Sequence, residues 1–227
     1  MARFGVRWLV WLFALLLLLV LVALWTISIV ERQKRITELY SSLRPGGYDT
    51  LWKAINEPWD VKELRIGDTT FKQTSVGERG RKILPNGAAT YVTSLSYRAS
   101  EWALTMNVLP EGPDCTTWHV IGVLVYRPHD TDNAVEGIGT SQRTRIRLTN
   151  WLVLGASTSA DAARLLPRPR RVARMSGDDV WWEYELKDDK HWIEIKLEFD
   201  AGGLLKGVFM HRGWLPGGRG QGYTFAK

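Results

Sequence analysis

The chain has 227 residues, a formal charge of +6, 45% hydrophobic residues and one cysteine. That size fits one large or two small domains. The lone Cys115 excludes an intrachain disulfide framework and any cysteine-based structural zinc site, and the apolar content excludes long-range disorder.

Residues 1–7 form a short basic tail carrying Arg3 and Arg7; without these two the charge is +4. Residues 8–30 contain no charge and are dominated by leucine, with only Thr26 and Ser28 polar. As a helix this run spans roughly 35 Å, against a hydrocarbon core of about 30 Å. Trp8, Trp11 and Trp25 stand near its ends, where amphipathic rings favour the headgroup layer. A soluble core helix rarely reaches this length without a polar face. A cleavable signal peptide has a shorter apolar region and ends at a small-x-small site, for which Thr26-Ile27-Ser28 is only passable. The expectation is an uncleaved signal anchor, a single transmembrane helix held in the lipid bilayer through residues 8–30.

Orientation is not decided by local charge, since Arg3 and Arg7 face Arg32, Lys34, Arg35 and Arg44. A short basic tail before a first helix most often stays in the cytoplasm. In a bacterium this places the rest of the chain in the periplasm, anchored to the inner membrane.

Residues 31–43 are charged and free of glycine and proline, and are predicted to continue the helix until Pro45-Gly46-Gly47 stops it. Asp49 is a candidate N-cap for a short helix bearing Leu51, Trp52 and Ile55, closed at Glu57-Pro58. From residue 61 to 126 the texture is that of strands, with Pro85-Asn86-Gly87 as a turn signal. Trp102, Leu104, Met106 and Val108 alternate on one face, and residues 118–126 read as a buried strand. Residues 31–127 are thus a first α+β unit and the polar stretch 128–141 a linker.

A second α+β unit is predicted over residues 142–212. Residues 143–154 read as extended, then Ser157 or Ser159 caps a helix over 160–166, closed by Pro167 and Pro169. Val180, Trp182, Tyr184 and Leu186 alternate with Trp181, Glu183, Glu185 and Lys187; Ile193, Ile195, Leu197 and Phe199 alternate with Trp192, Glu194, Lys196 and Glu198. A two-residue loop at Asp188-Asp189 sets Tyr184 opposite Ile193, Trp182 opposite Ile195 and Glu183 opposite Glu194, leaving one face wholly apolar. A further turn at residues 200–203 leads to a third strand with Leu205, Gly207 and Phe209 inward. Residues 213–227 read as a flexible glycine-rich tail. Both units share the rhythm of glycine, cap, short helix and proline, with spacing seven from Leu51 to Pro58 and from Ala162 to Pro169. Coincidence and a tandem repeat are both open.

Few residues suggest chemistry. Cys115 and His119 could be imagined as nucleophile and base, but a merely tolerated loop thiol is the better reading of Cys115. His129, Asp130 and Asp132 resemble metal ligands, yet Ala134-Val135 breaks the calcium-loop pattern and turn residues are the better reading. Gly217-Gly218-Arg219-Gly220-Gln221-Gly222 follows the last strand and is no phosphate loop. The expectation is no enzyme, no metal and no cofactor. Two features remain. The basic run Arg164, Arg168, Arg170, Arg171 and Arg174 is either a solvated helix end plus loop or an attractor of anionic headgroups or an acidic partner. Trp181 and Trp192, on an otherwise polar face, are either covered by the first half of the chain or anchors for a partner protein. A domain across the membrane leaves no place for nucleic acid.

The second half, through Asp161-Ala162-Ala163-Arg164-Leu165-Leu166-Pro167, Trp181-Trp182-Glu183-Tyr184 and Leu197-Glu198-Phe199-Asp200-Ala201-Gly202-Gly203-Leu204, resembles the BamE/SmpA type of small envelope domain. The resemblance is clearest over residues 155–211. It implies helices packed on a three-stranded antiparallel sheet; the similar β-lactamase-inhibitor architecture carries two such units in tandem. Pro167 stands where a glycine is usual and no lipobox cysteine is present, so only a general binding role in the cell envelope carries over. The resulting expectation is an α+β chain in which one transmembrane helix precedes short helices on antiparallel sheet, tethering a non-enzymatic module beside the membrane for another envelope protein. The alternatives are a VirB8-like component of a secretion or assembly machine, expected to have one continuous sheet, and a binder of an apolar ligand.

Overall fold

In the computed structural model, residues 3–43, 61–83, 89–111, 117–128, 144–175, 178–187 and 191–214 are described. The chain begins with one long helix, α1 (Arg3–Ser42). No glycine or proline interrupts residues 6–44, so nothing in the sequence breaks it. Its apolar half leaves Trp8, Trp11 and Trp25 well exposed, whereas Ile36, Leu39 and Leu43 are buried. Spaced three and four apart, these three share one helical face. Arg35 Nη1 donates to the carbonyl of Leu165 at 3.1 Å and Trp151 Nε1 donates to Glu38 Oε2 at 3.0 Å, fastening that face to the body. The continuation of α1 beyond residue 30 is as expected.

Five antiparallel strands follow: β1 (Glu63–Ile66), β2 (Thr69–Ile83), β3 (Ala89–Ala99), β4 (Trp102–Glu111) and β5 (Thr117–Tyr126). Trp102, Leu104, Met106 and Val108 are all buried on one face of β4, as their alternation requires. Next come the short β6 (Ile146–Arg147) and β7 (Val153–Leu154), which pair with each other, and α2 (Ser159–Leu165). The last strands are β8 (Arg171–Arg174), β9 (Val180–Lys187), β10 (His191–Phe199) and β11 (Leu205–Trp214).

The two groups of strands form one nine-stranded sheet in the order β1-β2-β3-β4-β5-β11-β10-β9-β8. The seam is the antiparallel pairing of β11 with β5, which sets Met210 opposite Val123. One apolar cluster runs along this sheet and takes in Ile36, Leu39 and Leu43 from α1, Ile146 and Leu154 from β6 and β7, and Ala162 from α2. The units expected in tandem therefore share a sheet and a core. The short helix expected after Asp49 and closed at Pro58, and all of the expected linker 128–141 except residue 128, lie outside the described residues.

Several local expectations need correction. The N-cap of α2 is Thr158, between the two serines expected. Its hydroxyl accepts from the backbone of Asp161, whose carboxylate accepts from the backbone of Thr158. This reciprocal arrangement satisfies two amides and needs the acid three residues on, which neither serine has. The β9–β10 register is shifted by two residues: Ile195 lies opposite Tyr184, Leu197 opposite Trp182 and Phe199 opposite Val180. An even shift keeps every side chain on its face but changes its partner. Lys196 then stands opposite Glu183, and the like-charge pairing passes from Glu183 with Glu194 to Glu185 with Glu194.

In β11 the parity changes. Glu198 pairs with Gly207 and Phe199 with Leu205, so Lys206 is an extra residue in a bulge. Leu205 faces the core as expected, but beyond the bulge Val208 and Met210 join the apolar cluster in place of Gly207 and Phe209. The turn before it holds Gly203 at φ +78°, and Leu204 N donates to Asp200 Oδ1 at 2.8 Å. The strand also reaches Trp214, so the expected tail loses its first two residues.

Candidate functional site

The face of the sheet turned away from the apolar cluster carries the side chains that alternation leaves over. On β9, β10 and β11 these are Trp181, Glu183 and Glu185; Trp192, Glu194, Lys196 and Glu198; and Gly207, Phe209 and His211. The register assigns Trp192 to the level of Lys187 and Trp181 to the level of Glu198. Six residues of strand separate these levels, about 20 Å. The two tryptophans thus share a face without touching.

Lys196 occupies the ground between them. Its ammonium lies 3.5 Å from Glu183 and 3.4 Å from Glu194, and 5.7 Å and 5.9 Å from the ring centroids of Trp181 and Phe209. Trp181 is half-buried, with the Lys196 cation of its own sheet over its ring. At the other end, His211 is buried, stacked on Phe209 and edge-on to Trp192 at 5.9 Å. Lys206, the bulge residue, reaches Asp179 and Glu198. Burial alone pushes its ammonium pKa down, but the Asp179 hydrogen bond and the Glu198 charge outweigh this and hold it raised. The four strand carboxylates Glu183, Glu185, Glu194 and Glu198 are half-buried and interleaved with cations and rings.

The arginine run does not form one patch. Arg164 sits in the last turn of α2 and is 3.4 Å from Asp161. Arg168 and Arg170 are exposed in the connector, where Arg170 pairs with Glu185 and its backbone amide donates to the carbonyl of Glu183 at 2.8 Å. Arg171 and Arg174 belong to the edge strand β8, opposite Glu183 and Val180, and so lie on different faces of the sheet. A strand, not a loop, therefore carries the end of the run.

Among the described residues no three His, Cys, Asp or Glu side chains gather as metal ligands. His119 lies in β5, while Cys115, His129, Asp130 and Asp132 lie outside the described residues. The arrangement sets rings and paired charges side by side on neighbouring strands. Lys196, Phe209 and His211 were not singled out by the sequence. The bulge in β11 brings them together by setting Phe209 opposite Lys196 and His211 opposite Glu194, and the strand alternation of Lys196 with Glu194 and Glu198 was the signal available. Compared with known protein families, curated proteins and solved structures, the chain matches none of them.

Proposed function

We propose that this chain is a non-enzymatic, membrane-anchored interaction module of the bacterial cell envelope. Its α+β body is held beside the inner membrane to bind another envelope protein. The observation that carries this reading is the division of α1. Residues 10–30 are exposed without any covering from the body, while Ile36, Leu39 and Leu43 on the same unbroken helix belong to the core. An apolar face of that size is costly in water and at rest in hydrocarbon. Anchoring confines the body to a thin layer at the bilayer and so raises its effective concentration toward a membrane-bound partner.

The docking surface in this reading is centred on the half-exposed rings of Trp192 and Phe209, with the buried His211 packed behind them. A photocrosslinking residue at Trp192 in intact cells is expected to capture a defined envelope protein, and one at Arg65 on β1 is not. Equal labelling from both positions counts against a docking surface. Release of the full chain from membranes by alkaline carbonate counts against the anchor.

A second reading is favoured by one observation. Strands from both halves make a single continuous sheet on which the continuation of α1 packs, which is what the assembly-machine alternative expects. Under it, the crosslinks at Trp192 join copies of this chain to several machine components instead of one partner.

A further inference from the structure

A small cleft opens at the sheet edge where α1 meets the body. It is lined by Gln33 and Ile36 of α1, Pro167, Arg168 and Arg170 of the connector, and Tyr184 and Glu185 of β9. Its volume of about 150 Å³ is the space of roughly five water molecules. Three properties of its lining point to an anion. Arg168 has no carboxylate partner among the described residues. The Glu185 carboxylate is already met by Arg170, so the lining keeps a net positive charge. Tyr184 is only 4% exposed, and its Oη has no hydrogen-bond partner among the described residues. Burial pushes that phenol above its ordinary range, so it remains a protonated donor at neutral pH. An unused buried donor is costly; Tyr184 and the unpaired Arg168 line the same cleft, and a small movement that uncovers the hydroxyl would offer both to an acceptor arriving from outside.

The position of the cleft says which acceptor. Gln33 and Ile36 follow the end of the apolar run at Val30 by three and six residues, about 4.5–9 Å along the helix. The headgroup layer extends roughly 5–7 Å beyond the hydrocarbon on each side. If the anchor spans the bilayer as proposed above, the cleft lies at headgroup level, with Arg32, Lys34 and Arg35 on the adjoining turns. We propose that this cleft binds the phosphate of an anionic phospholipid, with Arg168 supplying the charge-assisted contact and Tyr184 Oη the second donor. The arginine run then contributes through Arg168 and Arg170 alone, since Arg164 is paired on α2 and Arg174 lies along the edge strand.

The test uses the full chain in detergent, titrated with phosphatidic acid or with phosphatidylcholine of the same acyl chains, with bound lipid counted by native mass spectrometry. Phosphatidic acid is expected to bind about tenfold more tightly. Arg168→Gln should remove most of that preference. Tyr184→Phe should reduce it severalfold while leaving the melting temperature unchanged or higher, because it deletes an unpaired buried hydroxyl. Arg174→Gln, the same charge change away from the cleft, should retain it. Equal binding of the two lipids, or equal loss in all three variants, overturns the proposal. Competition by inorganic phosphate at concentrations matching the lipid also overturns it, in favour of a soluble phosphate ligand. Carbonate extraction of the same protein reports the anchor separately, so a failed cleft and a failed anchor give different results.

Discussion

Leu39 offers a direct test of whether the end of α1 belongs to the body. Its side chain is 0% exposed and sits in the central cluster beside Ile36 and Leu43. Replacing it by alanine removes three carbons from a filled site. At about 0.8 kcal/mol per buried carbon this costs roughly 2.4 kcal/mol. The part of the space that neighbours cannot fill raises the total to about 3 kcal/mol. For a body of this size that lowers the melting temperature by roughly 6–12 °C. The measurement is thermal unfolding of the full chain in detergent, followed by near-ultraviolet circular dichroism of its tryptophans. Leu18→Ala, at a side chain 57% exposed on the apolar half of the same helix, is the matched control and should leave the transition where it is. If Leu39→Ala melts together with Leu18→Ala, the helix end is not part of the core and the rigid coupling of anchor to body is wrong.

Two further outcomes follow from particular sites. Gly67 has φ +58° and an added Cβ would lie 2.1 Å from the Arg147 carbonyl oxygen; Gly67→Ala should therefore cost about 2–4 kcal/mol, read as a lower urea midpoint with an unchanged slope. Tyr184 and Lys206 both have raised pKa values in the folded protein, so the native state holds protons that the unfolded chain releases. Stability should be constant through neutral pH and fall above about pH 10. Tyr184→Phe should remove part of that alkaline fall, and a pH series of urea midpoints that stays flat to pH 12 refutes the assignment.

Much of this architecture is legible in the residues because burial follows period. The charge-free run at 8–30, the alternation of Trp102 to Val108 and the two apolar faces of β9 and β10 each state which side chains turn inward, and the structure follows them. Register is harder, because apolar faces fix only its parity. A shift of two residues in β9–β10 costs nothing in burial, so the choice falls to polar contacts such as the placing of Lys196 between Glu183 and Glu194. The bulge at Lys206 is hidden for a different reason. Leu204-Leu205-Lys206-Gly207-Val208-Phe209-Met210 offers apolar residues in both phases, and the phase is selected by pairing to β5, more than eighty residues away in the chain. The candidate cleft was invisible for the same reason. Gln33, Arg168 and Tyr184 are remote in sequence and meet only because α1 docks against the sheet edge. Trp181 and Trp192 were found by their contrast with charged neighbours, but their separation along the strands could not be read until the register was known.

The unbroken course of α1 has a mechanical consequence. A helix of 40 residues is about 60 Å long, and nothing along it acts as a swivel between the apolar stretch and the turn that carries Leu39. Any tilt or rotation imposed on the first half is therefore delivered to the sheet as a rigid movement. With the apolar stretch seated in a bilayer as proposed, the attitude of the rings around Trp192 relative to the lipid plane would be set by the bilayer itself, and a change in its thickness would re-aim them.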